Sequence, residues 1–185
     1  MVHAIALAVV LHVANAAAVP APVLAKAQTE VSHLYRDIGV DVEWSPSSSL
    51  RGDDPFAIHV ILVPYETGDL QQRPQTVMGA ALRTDQGTNM AYVFYRRVES
   101  EAAQYGVSLA FVLACAIAHE VGHLLLPDGF RSGHSSAGLM RPCWDRDDFL
   151  RADRGQLGFL AEQAVLIRGR LQTAVEGQRG DGARQ

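Results

Sequence analysis

Val107-Ser108-Leu109-Ala110-Phe111-Val112-Leu113-Ala114-Cys115-Ala116-Ile117-Ala118-His119-Glu120-Val121-Gly122-His123-Leu124-Leu125-Leu126 is a long apolar run whose titratable side chains gather near its far end. Ser108 suits an N-cap, since its hydroxyl can accept from free backbone N–H groups of the first turn. Pro127 closes the run, because proline lacks the N–H and clashes with the turn before it. Between them the chain reads as one buried helix of roughly five turns. Polar groups in such a helix need partners, because burying them bare is costly. His119 and His123 stand four residues apart, hence on one face, and can aim ring nitrogens at one point. Glu120 lies about 100° further round the helix, beside that point rather than on it. That is where a base stands to take a proton from water activated by a cation. Two packed core histidines and a surface glutamate are the plain alternative, and the five-residue pattern alone is a weak signal.

A catalytic zinc site usually has three protein ligands and an open position. Past Pro127 the chain reads Asp128-Gly129-Phe130-Arg131-Ser132-Gly133-His134-Ser135-Ser136-Ala137-Gly138-Leu139-Met140-Arg141-Pro142. Pro127, Asp128 and Gly129 form a strong turn signal. His134 then returns in a loop of glycine and serine with few bulky neighbours. The candidates for third ligand are His134 and Asp128. His134 is preferred, because Asp128 stands so near the helix end that reaching back would be strained. Cys115, a turn behind His119, is a lesser thiolate candidate, and Glu162 in the following helical region ranks last. Three imidazoles are borderline ligands that favour zinc over calcium or magnesium, so Zn2+ is the expected cofactor.

His119-Glu120-Val121-Gly122-His123, a turn, a third histidine and then Ser136-Ala137-Gly138-Leu139-Met140 together resemble the metzincin zinc peptidases. The likeness is closer to small bacterial metzincin-like proteins, with an AHEIGHLLL-type helix and a short loop to an HS…GIM-type turn. It extends to Ala91-Tyr92-Val93-Phe94-Tyr95 and Arg154-Gly155-Gln156-Leu157, and so covers most of the chain. The resemblance implies zinc ligands His119, His123 and His134, the base Glu120, and Met140 as the Met-turn residue beneath the metal. It also implies a zinc metalloendopeptidase, with a peptide or protein substrate held in a cleft between the sheet-bearing half and the segment after Gly129. The strand near Leu82 or Ala91 would be the sheet edge that receives an extended peptide.

The chain departs from the common metzincin spacing: Leu126 and Gly129 stand where that pattern has its glycine and third histidine, so His134 comes five residues late. Pro142 occupies the place of the tyrosine ligand seen in some members. These departures motivate the rival reading, a zinc-binding protein of this fold that binds peptides or proteins with weak or no turnover.

The 185 residues are enough for one domain with a core of its own. A 48% apolar and 19% charged composition is that of an ordinary globular protein. Net charge is -4 with no basic stripe, which argues against nucleic acid as the main partner. No stretch is long and apolar enough for a confident membrane span. Cys115 and Cys143 fit either a disulfide or two buried thiols. Residues 4–13 are apolar and precede Ala14-Asn15-Ala16, which would suit a secretory signal and a secreted or periplasmic location. The lack of Lys or Arg ahead of the run, and His12 within it, favour a buried first strand over residues 5–13.

Residues 23–38 show helical spacing of Val23, Leu24, Ala27, Val31, Leu34, Tyr35 and Ile38, after prolines 20 and 22 and before Gly39. Short strands are expected at 40–44, 56–63 and 91–98, with Gly79-Ala80-Ala81-Leu82-Arg83 leading into a turn. Polar loops fill 45–54 and 65–76. Helical stretches follow at Asp145 and over 159–171. The expected fold is α+β: a mixed, mostly parallel twisted sheet with two main helices, then a largely irregular C-terminal half ending in a helix. Residues 1–175 form the domain, and 176–185, rich in Gly, Arg and Gln, form a disordered tail.

Overall fold

The structure is a computed structural model that describes residues 7–46, 57–66, 77–84, 87–127 and 133–182. Leu7, Val9 and Leu11 are buried and alternate with less covered neighbours, and this period of two makes a strand, β1 (Leu7–Asn15). It is followed by α1 (Ala21–Arg36), β2 (Val40–Pro46), β3 (Ile58–Val63), β4 (Gly79–Arg83) and β5 (Asn89–Phe94). The remaining elements are α2 (Tyr95–Tyr105), α3 (Leu109–Leu125), α4 (Arg146–Asp153) and α5 (Ala161–Gly182). The sheet order is β2-β1-β3-β5-β4. Three pairings are parallel, and only β4 runs antiparallel, against β5. The fold is α+β, with a five-stranded, mostly parallel sheet and five helices among the described residues.

Three expectations need correcting. Helices were expected over 23–38, along the apolar run to Leu126, from Asp145 and over 159–171; all four are present and α2 is an addition, so the segment after Gly129, with α4 and α5, is less irregular than expected. The strand expected over 91–98 stops at Phe94, and Tyr95 opens α2, with Arg97 buried against Phe94 and Glu66. The last helix, expected over 159–171, runs from Ala161 to Gly182. Of the two candidate sheet edges, β4 with Leu82 is an edge, while β5 with Ala91 lies between β3 and β4. No helix among the described residues is long and apolar enough to cross a membrane.

The helix α3 is buried on nearly every side, packed on α1, α2, β4 and β5. Burying each large apolar side chain contributes about 1.5–3 kcal/mol. Val112, Leu113, Ile117, Val121 and Leu125, all fully or almost fully buried, therefore outweigh the burial of His119 and Glu120 at the same helix. Ser108 does stand at the N-cap, although its side chain makes no capping hydrogen bond. By contrast, Asp145 caps α4 through a complete capping box with Asp148. At the far end of α3, Pro127 leaves carbonyl groups without helical partners. Arg83 Nη2 donates to the Leu124 carbonyl at 3.2 Å and Arg170 Nη1 to that of Leu126 at 2.8 Å. Two cations thus satisfy the negative end of the helix dipole. A third clamp lies one residue before His119, where the buried Tyr35 hydroxyl donates to the Ala118 carbonyl at 3.0 Å. Burial alone holds the Tyr35 phenol well above its ordinary range, so it stays a donor. The segment that carries the histidines is fixed from α1, β4 and α5.

Candidate metal centre

His119, His123 and His134 come together as one donor group, each offering a ring nitrogen, and these atoms all lie within 4.8 Å of one another. The helical spacing of the first two does what four residues should: His119 Nε2 and His123 Nε2 stand 3.0 Å apart. Two nitrogens on a tetrahedral zinc at about 2.0–2.1 Å would be roughly 3.3 Å apart, so this pair is close to a ligand spacing already. His134 completes the triad from the loop before the second turn. Its ring centroid is 4.8 Å from that of His123 and 5.4 Å from that of His119.

The tautomer of His119 follows from its neighbour. His119 Nδ1 lies 2.9 Å from the Leu139 carbonyl oxygen, which can only accept, so Nδ1 carries the proton. The Nε2 lone pair is then turned toward His123 and the centre of the triad, with the ring held in place by the Leu139 carbonyl. Burial pushes the His119 imidazole down to about 4, against the opposing hydrogen bond to Leu139. Burial lowers His134 as well. Both rings are therefore neutral donors at physiological pH, which is the form a cation requires. The donor set fits a borderline divalent metal such as zinc.

Glu120 is buried and lines the same cleft as the triad, a cavity of about 560 Å³ between β4 and residues 141–144. A Cβ at Gly79 would come within 2.6 Å of Glu120 Cγ and Oε1, so the carboxylate lies directly on the β4 backbone. A second bare position does the same for a histidine of the triad. Gly133, at φ +80, passes so close that a Cβ there would sit 2.5 Å from His123 Nδ1. Met140 is fully buried beneath the helix: a Cβ on Gly122 would meet its Sδ at 2.7 Å. It sits in a tight turn closed by Arg141 N–H donating to the Gly138 carbonyl at 3.3 Å, with Gly138 at φ +73. The same loop is tied down by Ser135 N–H to the Met140 carbonyl at 2.8 Å. Gln163, fully buried on α5, donates to Ser135 Oγ at 3.1 Å.

The structure thus brings together His119, His123, His134, Glu120 and Met140 at one cleft. Asp128, the other candidate for third ligand, lies outside the described residues. Glu162 is exposed and, among the described residues, belongs to no donor group. Cys115 is no ligand either: it is buried a turn away, and burial raises its thiol to about 12. Cys115 and Cys143 are both free, and Cys143 is exposed, which corrects the picture of a disulfide or of two buried thiols. Sequence reasoning missed Gly79, Gly133, Gln163 and Trp144, whose indole stands edge-on to His119 at 5.3 Å. Only Gly133, in a glycine-serine loop immediately before His134, carried a local signal. Comparison with known proteins adds nothing to this geometry: no family model, no curated protein and no solved structure matches the chain.

Proposed function

We propose that the protein is a zinc-dependent peptidase, similar to the metzincins in the logic of its site. The observation that carries the reading is the convergence of three imidazoles whose ring nitrogens lie within 4.8 Å of one another, in a cleft that Glu120 also lines. His119, His123 and His134 would hold the metal. Zinc, when bound, acidifies water and polarises a carbonyl group, so hydrolysis can run at neutral pH. A Glu120 carboxylate oxygen takes the proton from the attacking water and returns it to the departing amine nitrogen. The β4 backbone keeps that carboxylate from turning away, since it rests against Gly79. As a sheet edge that also lines the cleft, β4 is suited to bind an extended peptide by strand addition. Leu139 orients His119 through its carbonyl.

Glu120→Gln separates turnover from metal binding, because the amide keeps the size of the side chain and cannot act as a base. The variant is expected to retain zinc and to lose about 10²–10⁴-fold in peptide hydrolysis, measured by digestion of a peptide library. Equal cleavage by parent and variant would overturn the role of Glu120. No cleavage by a fully zinc-loaded parent would favour the rival reading, a peptide-binding protein without useful turnover.

A further inference from the structure

Trp144 lies four residues past Met140 and lines the cleft together with His119, Glu120 and His134. Its indole is perpendicular to the His119 ring, at 87° and 5.3 Å, and is backed by Phe149 at 5.9 Å. The Nε1 atom is buried and has no hydrogen-bond partner. Buried indole N–H groups nearly always find an acceptor. The other tryptophan obeys that rule, since Trp44 Nε1 donates to Ser32 Oγ at 2.9 Å. An orphaned donor is therefore a local exception, and it falls in the wall of the cleft beside a metal-ligating histidine. Arg141, the other strong donor of that wall, is already engaged with Asp145 and Asp148. Among the described residues, Trp144 is the donor on this side without an acceptor.

We propose that the Trp144 indole N–H donates to the carbonyl oxygen of the scissile amide, which rests on the peptidase reading given above. Negative charge grows on that oxygen as water adds to the carbonyl carbon, so a donor placed there acts more strongly on the transition state than on the bound substrate. The nitrogen is closed to water in the present conformation. Donation to a bound oxygen therefore requires rotation of the Trp144 side chain, a change directly readable at the indole. Trp144 is thus a catalytic residue, and its contribution appears in kcat rather than in KM.

The zinc-loaded protein, labelled with 15N, has two tryptophans and so two indole resonances. Titration with a peptide hydroxamate, which presents a carbonyl oxygen to the metal, is expected to move the Trp144 indole proton downfield and leave that of Trp44 in place. Trp144→Phe keeps the ring contacts and removes the N–H. It is expected to bind zinc as the parent does and to lose about 10²-fold in kcat with KM little changed. An indole resonance unmoved at hydroxamate saturation, or parental kcat in the variant, would overturn the assignment. Should the variant fail to fold, the titration of the parent still decides. A parent that holds zinc and cleaves no peptide overturns the peptidase reading and the catalytic role of Trp144 with it, whereas a cleaving parent whose indole resonance stays unmoved overturns the Trp144 assignment alone. Failure of the hydroxamate to bind zinc-loaded protein overturns both.

Discussion

Two histidine groups occupy opposite sides of the sheet, and their rings are arranged in different ways. His12 and His59 are direct neighbours on the parallel strands β1 and β3, on the face away from the core residues Leu11 and Val60. Their rings stack at 22° and 5.2 Å. Side chains on adjacent strands stand side by side, so the backbone itself favours stacking over convergence. His119, His123 and His134 come from one helical turn and a returning loop, and His123 stands steeply to both others, at 81° to His119 and 85° to His134, while His119 and His134 lie at 30°. Among the described residues this is the one place where three such donors gather. Histidine content is therefore a poor guide to a metal centre. The carrying backbone decides whether ring nitrogens share a point or ring faces share a contact.

The largest effect expected from disturbing this contrast comes from Gly133→Ala. A side chain at φ +80 costs about 1–2 kcal/mol in backbone strain, and its Cβ would displace His123. Zinc affinity should fall about 10–100-fold, the range for lost outer-shell support, when read by competition with a chromogenic chelator. His59→Ala should leave that affinity within about twofold, since the stacked pair holds no part of the centre. Equal losses in the two variants would erase the distinction between the groups.

A smaller effect is expected from acid. Burial, and then the nearby His12, hold the His59 imidazole below its ordinary value. The unfolded chain, with a histidine value of about 6.5, binds more protons than the folded one just below that pH. Stability contributed by neutral His59 is thus lost as pH falls below about 6.5 and regained as it rises. His59→Gln should lose less stability than the parent between about pH 7.5 and 5.5 in urea unfolding. His119 and His134, lowered in the same direction, are common to both proteins and cancel in the difference. Parallel curves would show that the fold does not hold His59 neutral.

Much of the centre was legible because it is local. The i, i+4 histidines, the adjacent glutamate and the proline stop are properties of one helix, and α3 forms where the apolar run lies. His134 and Met140 were legible through their short glycine- and serine-rich surroundings. The helix α2 was not, because Tyr92-Val93-Phe94-Tyr95 reads as continuous strand and Phe94 offers no capping side chain. Tertiary contacts decide there: Arg97 is held by Glu66 and by the Val77 carbonyl at 2.6 Å. The length of α5 was hidden for the opposite reason, since its last turns are rich in Gly, Arg and Gln, with no apolar stripe to mark them. Gly79 and Trp144 are silent in sequence. What matters at each is the element packed against it, Glu120 in one case and His119 in the other.

Metal content after dialysis, read together with zinc-edge X-ray absorption, tests the assigned centre most directly. The account predicts about one zinc per chain in a first shell containing three imidazole nitrogens, and loss of that signal in His123→Ala and His134→Ala. Substoichiometric zinc, or zinc held equally well by both variants, would contradict it.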